Sequence, residues 1–158
     1  RGFQQLLDQG RISRGPAIEC VQPEGNNTIA GPLRDGADRA QEVDCTSKVS
    51  GLQVASVVDG HLAIEECRPT GGTGHLVTDE FVWDTQKRLA HEEGVFTEPA
   101  GAVALAGALQ AARNGEVDRD AVVVCMVTGS GFKDEVGIDR INADIECPML
   151  DADAIDEW

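Results

Sequence analysis

Two glycine-rich segments hold most of what could do chemistry in this chain. Thr128, Gly129, Ser130 and Gly131 follow directly on the apolar run AVVVCMV at residues 121–127. If that run is a strand of an open parallel sheet, the Thr128 hydroxyl stands beyond a carboxyl end, where such sheets receive ligands. The glycines would let backbone approach a ligand closely. Spacing alone favours a simple tight turn, and a phosphate loop lacks its lysine. The second segment is Gly71, Gly72, Thr73 and Gly74. A phosphate site there would need a helix to follow, and His75, Leu76 and Val77 read as strand instead. His61, His75 and His91 have no metal-ligand spacing. Asp79, Glu80, Glu92 and Glu93 read as solvated charges at helix ends, and no nucleophile–histidine–acid order can be argued.

These residues need elements to position them. Phe3, Leu6 and Leu7 have helical spacing, closed at Gly10. Residues 17–21, after Pro16, read as a buried strand, and Pro23, Gly25, Asn26 and Asn27 as a loop. Residues 28–44 are polar and ambiguous. Residues 49–58, interrupted by Gly51, read as a loop with little regular structure. Residues 62–67 fit a helix stopped by Pro69 and the glycine turn. Thr78 is a good helix cap, with Asp79 and Glu80 in the first turn, Val82, Thr85 and Leu89 on one face, and Gly94 at the end. A second helix starts near Pro99, whose missing donor suits a first turn. Its recurring residues Ala100, Val103, Ala104, Gly107, Ala108 and Ala111 are mostly small, so something packs closely against them. Residues 121–127 are apolar without alternation, which predicts a central strand covered on both faces. The order of elements predicts a three-layer α/β fold with a largely parallel sheet. Residues 1–137 form one body, and residues 138–158 an acidic tail that is an edge strand or disordered.

The length of 158 residues suffices for one domain with a core. The net charge of −15, from 28 acidic against 13 basic residues, repels phosphate backbones and excludes nucleic acid as a partner. A soluble cytoplasmic protein, adaptation to high salt and an acidic interaction tail all remain readings of that charge. The five cysteines include no CxxC pair. Cys20 and Cys125 lie in apolar runs as small hydrophobes, which fits a reducing compartment. No stretch approaches the ~18 apolar residues of a membrane helix.

Residues 93–112, EGVFTEPAGAVALAGALQAA, followed by VVVCMVTGSGFKD at 122–134, resemble the C-terminal signature of threonine synthase. That family is a branch of the fold-type-II pyridoxal-phosphate enzymes, related to tryptophan synthase β, threonine dehydratase and cysteine synthase. RGFQQLLDQGRI at the start, ECVQPEG at 19–25, SGLQVASVVDGHLAI at 50–64 and the GGTG turn with VTDEFVWDTQKRLAHEEG after it agree in order and distance. The resemblance covers residues 1–134.

It implies pyridoxal 5'-phosphate as cofactor, with the Thr128 hydroxyl bonded to the pyridine nitrogen and Gly129 beside it. A neutral hydroxyl leaves that nitrogen less protonated than a carboxylate would, which suits elimination and replacement chemistry. Ser50, Gly51 and Leu52 match the loop that lies against the ring. Glu98 matches a position near the cofactor, and reads equally as a helix-start charge. Lys48, Lys87 and Lys133 do not match the family's Schiff-base lysine. That lysine and the glycine-rich phosphate cradle are expected upstream, so the chain is expected to be a C-terminal portion, inactive alone. The implied reaction is the conversion of O-phosphohomoserine to threonine, with an amino-acid substrate and a homodimer. The alternatives are a serine/threonine dehydratase or other β-eliminating enzyme, and a non-catalytic fragment or binding module whose small-residue helix face docks on a partner.

Overall fold

The computed structural model describes residues 1–146 and residue 149. In chain order the elements are α1 (Gly2–Asp8), β1 (Cys20–Pro23), α2 (Ala30–Arg34), α3 (Gly60–Cys67), β2 (Gly74–Val77), α4 (Asp79–Glu93), α5 (Pro99–Arg113) and α6 (Glu135–Asn142). Among the described residues no helix is long and apolar enough to cross a membrane.

β1 and β2 pair in parallel, Cys20 with Gly74 and Pro23 with Val77. Alternation along a strand sends neighbours to opposite faces. Val21 and Val77 therefore join Val82 and Leu89 of α4 and Ala102, Val103 and Ala106 of α5 in one apolar cluster. Cys20 joins the other, with Leu33, Ile64 and Cys67 of α2 and α3. Two helical layers thus flank a parallel sheet, as the order of elements predicts.

Local sequence accounts for the long helices. The Thr78 side chain accepts the Phe81 amide at the start of α4, and Gly94 ends it at φ 67°. The buried stripe is Val82, Thr85, Gln86 and Leu89, the spacing of one helix face. Pro99 opens α5, whose buried residues are Pro99, Gly101, Ala102, Val103, Ala106, Gly107 and Ala111. Ala100, Ala104 and Ala108, expected on that stripe, are half-buried at its margin. The close packing expected of the small residues is present. A Cβ at Gly107 would lie 2.5 Å from a Val21 methyl carbon, so α5 rests directly on β1. α2, with Gly31 and Pro32, is a poor helix former. It is held by burial and by the Gln22 side chain, which accepts the Ile29 and Ala30 amides.

Several expectations are corrected. β1 begins at Cys20, later than the strand expected over 17–21. Residues 49–58 lack a helix or strand, as expected. Residues 121–127, expected as the central strand, take no regular structure and pair with no strand among the described residues. Val122 is 92% exposed, Val124 82% and Met126 72%. A strand apolar on both faces needs neighbours on both edges and a layer on either side. Here β1 and β2 are covered by their own helices, and neither lies alongside this run. α6 crosses the boundary set at 137/138, so the start of the expected tail is helical. The remainder of that acidic tail, from residue 147, lies outside the described residues apart from residue 149.

Candidate functional site

Thr97, just before α5, is the hub on which the candidate residues converge. It is 2% exposed and forms an antiparallel bridge with Ser130. Around it the Glu98 amide donates to the Gly129 carbonyl at 3.4 Å, and the Gly131 amide to that of Phe96 at 3.2 Å. The Thr97 hydroxyl lies 2.9 Å from the carbonyl oxygens of both Thr128 and Gly129 and, having one proton, is shared between them. Its own carbonyl accepts from the Gln86 amide group at 2.9 Å. The backbone that carries Thr128 is thereby fastened to the first turn of α5. The Thr128 side chain is not fastened: the residue is exposed, and among the described residues nothing hydrogen-bonds its hydroxyl.

The glycines are explained by what crowds them. Gly129 has φ 72°, and a Cβ there would collide with the Glu98 carboxylate. A Cβ at Gly101 would collide with the Thr128 carbonyl and the Thr97 hydroxyl. The Glu98 carboxylate makes no cap to its helix and lies 3.5 Å from the Lys133 ammonium. Gly51 has φ 83°, and its missing Cβ would stand 3.1 Å from that of Ala100 in the first turn of α5. Leu52 packs against the α4–α5 cluster and Ser50 is half-buried. The structure therefore brings Gly129 and Glu98 into contact, with Thr128 next to them on the Thr97 hydroxyl, and sets the Ser50–Gly51–Leu52 turn against Ala100 in the first turn of α5.

That turn belongs to a loop, residues 46–54, held by groups that the sequence does not advertise. Val49 is fully buried in the α4–α5 cluster. The Asp79 carboxylate accepts from the Ser47 hydroxyl at 2.8 Å and the Lys48 amide at 2.6 Å. Asp79, expected as a solvated helix-end charge, is instead a loop anchor. The Thr46 and Ser47 amides donate to the Gly25 carbonyl. Asn26, read as ordinary loop, is 3% exposed and donates to the carbonyls of Leu52 at 2.7 Å and Val54 at 3.0 Å. These partners lie far apart in the chain, so local pattern could not reveal them.

The second glycine segment serves the fold. Cβ atoms at Gly72 and Gly74 would collide with the carbonyls of Ile18 and Ala30. The Thr73 amide donates to the Glu19 carboxylate, which places a negative group where an anion would have to sit. Cys20, Cys67 and Cys125 keep their protons at neutral pH. Burial, and then the neighbouring Cys67, push Cys20 up to about 11. Burial, with Glu19 and Glu66 nearby, raises Cys67, and burial alone raises Cys125.

Residues 1–129 match a family model described as pyridoxal-phosphate dependent enzyme. The chain is 31% identical to a threonine synthase of Methanocaldococcus jannaschii over 94% of its own length and 38% of the relative's. It is 32% identical to a threonine synthase of Methanosarcina acetivorans, covering 85% of this chain and 33% of the relative. The chain thus spans well under half the length of these relatives. Among solved structures, a threonine deaminase from T.th. superposes with a TM-score of 0.48 at 19% identity, over 71% of this chain and 50% of that one.

Proposed function

We propose, since the chain belongs to the family of pyridoxal-phosphate-dependent enzymes, that it forms the cofactor-facing portion of a threonine-synthase-like enzyme acting on an amino-acid substrate. The observation that carries this reading is the Thr128 side chain, an exposed hydroxyl without a partner among the described residues, on a backbone fixed to the start of α5. A rigidly mounted hydroxyl suits a ring nitrogen better than a mobile one, because its ordering entropy is already spent. Gly129 and Gly51, both at positive φ, let Glu98 and Ala100 pack against this backbone, while the Thr128 hydroxyl stays exposed beside them. The residues present fit the heterocycle of the cofactor in this respect.

When bound, the cofactor supplies the electron sink that stabilises a carbanion at the substrate. The chain's own residues do the holding. The Thr128 hydroxyl would donate a hydrogen bond to the ring nitrogen, or accept one from it when that nitrogen carries a proton. The Ser50–Gly51–Leu52 turn would lie against a ring face. Glu98, paired with Lys133, keeps a carboxylate close to Gly129. The names of the relatives, threonine synthase in each case quoted, favour O-phosphohomoserine as substrate and threonine as product. The lysine that bonds the cofactor covalently, the phosphate cradle and the partner subunit of a homodimer are proposed to lie in polypeptide beyond this chain, in a cytoplasmic enzyme.

Titration of the chain with pyridoxal 5'-phosphate, followed by amide NMR, tests the reading. Shifts concentrated at Thr128, Gly129 and Gly51 are expected, and their absence at millimolar cofactor would overturn it. In an active protein containing this chain, Thr128→Val should lower turnover more than Ser130→Ala. Equal losses would remove the ring contact from Thr128.

A further inference from the structure

We infer that two buried carboxamides, Asn26 and Gln86, are positioning residues that set the two walls of the cofactor site independently. The inference rests on the cofactor reading above and adds residues outside the contact set.

The two walls are built differently. One is the Ser50–Gly51–Leu52 turn, in a loop without regular hydrogen bonding. The other is the Thr128–Gly129 backbone, at the end of an unpaired run. Neither belongs to a ladder: a few backbone bonds, the Thr97–Ser130 bridge and the Thr46 and Ser47 amides on Gly25, hold each in part, and side chains supply the rest. Asn26 spans the loop by donating to Leu52 and Val54, on the far side of the turn from the Asp79 anchor at Ser47 and Lys48. The turn is thus held at both ends. Gln86 reaches out of the buried face of α4 to the Thr97 carbonyl, and the Thr97 hydroxyl reaches the carbonyls of Thr128 and Gly129. A single relay therefore runs from α4 through Thr97 to the Thr128 backbone.

Both carboxamides are expensive as mere filler. Asn26 is 3% and Gln86 1% exposed. In each, the amide nitrogen is bonded while the carbonyl oxygen is buried without a partner among the described residues. Burying an unpaired acceptor costs stability that an apolar residue would not. Gln86 sits on the stripe with Val82 and Leu89, where an apolar side chain would pack without that cost. Such a group is explained if its donor end performs a task, here the alignment of backbone that a ligand must meet within a fraction of an ångström. Asn26 and Gln86 share no hydrogen-bond partner, and the walls touch at the Gly51–Ala100 contact and through the α4–α5 cluster. Loosening one should therefore leave the other in place.

Amide hydrogen exchange on the 158-residue chain separates this from general packing. Asn26→Leu should speed exchange at the Val49 and Leu52 amides about tenfold, with Glu98 and Gly131 unchanged. Gln86→Met should do the reverse. Should either variant not fold, Asn26→Ser or Gln86→Leu carries the same expectation. Uniform acceleration across the chain in either variant, or no change at the named amides, overturns the inference. The cofactor titration is then repeated. Asn26→Leu should lose the shift at Gly51 and keep those at Thr128 and Gly129, and Gln86→Met the converse. If the parent chain shows no shifts at all, the cofactor reading fails while the exchange pattern still decides the wall assignments. If the parent shifts and both variants shift identically, the inference fails and the cofactor reading stands.

Discussion

The loop at residues 46–54 and the run at residues 121–127 both lack regular structure, and for opposite reasons. The loop is largely polar, carries Gly51 at positive φ and has weak intrinsic preference for any element. Yet Val49 is buried in the core, and Gly25, Asn26 and Asp79 bind its backbone or its Ser47 side chain. The run has the strongest β-preference in the chain, VVVCMV, but its side chains are largely exposed and no strand pairs with it among the described residues. The difference teaches that order follows from partners for backbone groups and for apolar surface. Intrinsic preference alone supplies neither.

The comparison would break most visibly under paired charge insertions. Val49→Asp buries a carboxylate without a partner and should cost more than about 3 kcal/mol. Val123→Asp, in the exposed run, should stay within about 0.5 kcal/mol of the parent. Urea denaturation of both variants measures this, and similar costs would mean that the run is in fact packed. A smaller effect distinguishes the thiols. Cys20 keeps its proton in the fold up to about 11, against an ordinary value of 9.0. The unfolded chain ionises first, so stability should fall as pH rises from 9 towards 11, by at most about 2–3 kcal/mol. Cys20→Ala should flatten that slope, and an unchanged slope would place its cause elsewhere. A more local effect is expected for Thr97→Val, about 1 kcal/mol for the lost hydroxyl bond. Its signature should be faster exchange at the Glu98 and Gly131 amides, and a loss spread evenly over α5 would argue against Thr97 as the hub.

What was legible in the amino acids is what local chemistry decides. Thr78, Gly94 and Pro99 marked the ends of α4 and the start of α5, because caps and fixed φ values act within a few residues. The small residues of α5 announced a close neighbour, which proves to be Val21. Thr128, Gly129, Glu98 and Gly51 were named from a resemblance and do gather around one helix start. Asn26, Asp79 and Gln86 were invisible as anchors, since an amide or carboxylate on a turn or helix looks the same whether it faces water or a distant carbonyl. Residues 121–127 misled for a related reason: periodicity reports what a segment can bury, and pairing depends on an edge that some other segment must offer.

The parallel register of Cys20 with Gly74 carries a kinetic consequence. A parallel pair cannot close through a tight hairpin, and the intervening polypeptide, α2, α3 and the anchored loop, must be gathered before the ladder forms. α4 and α5 are neighbours in sequence and can dock early. In pulse-labelled refolding, protection should therefore appear in these two helices before it appears at Cys20. Simultaneous protection would mean that the sheet nucleates the fold and the helices condense on it.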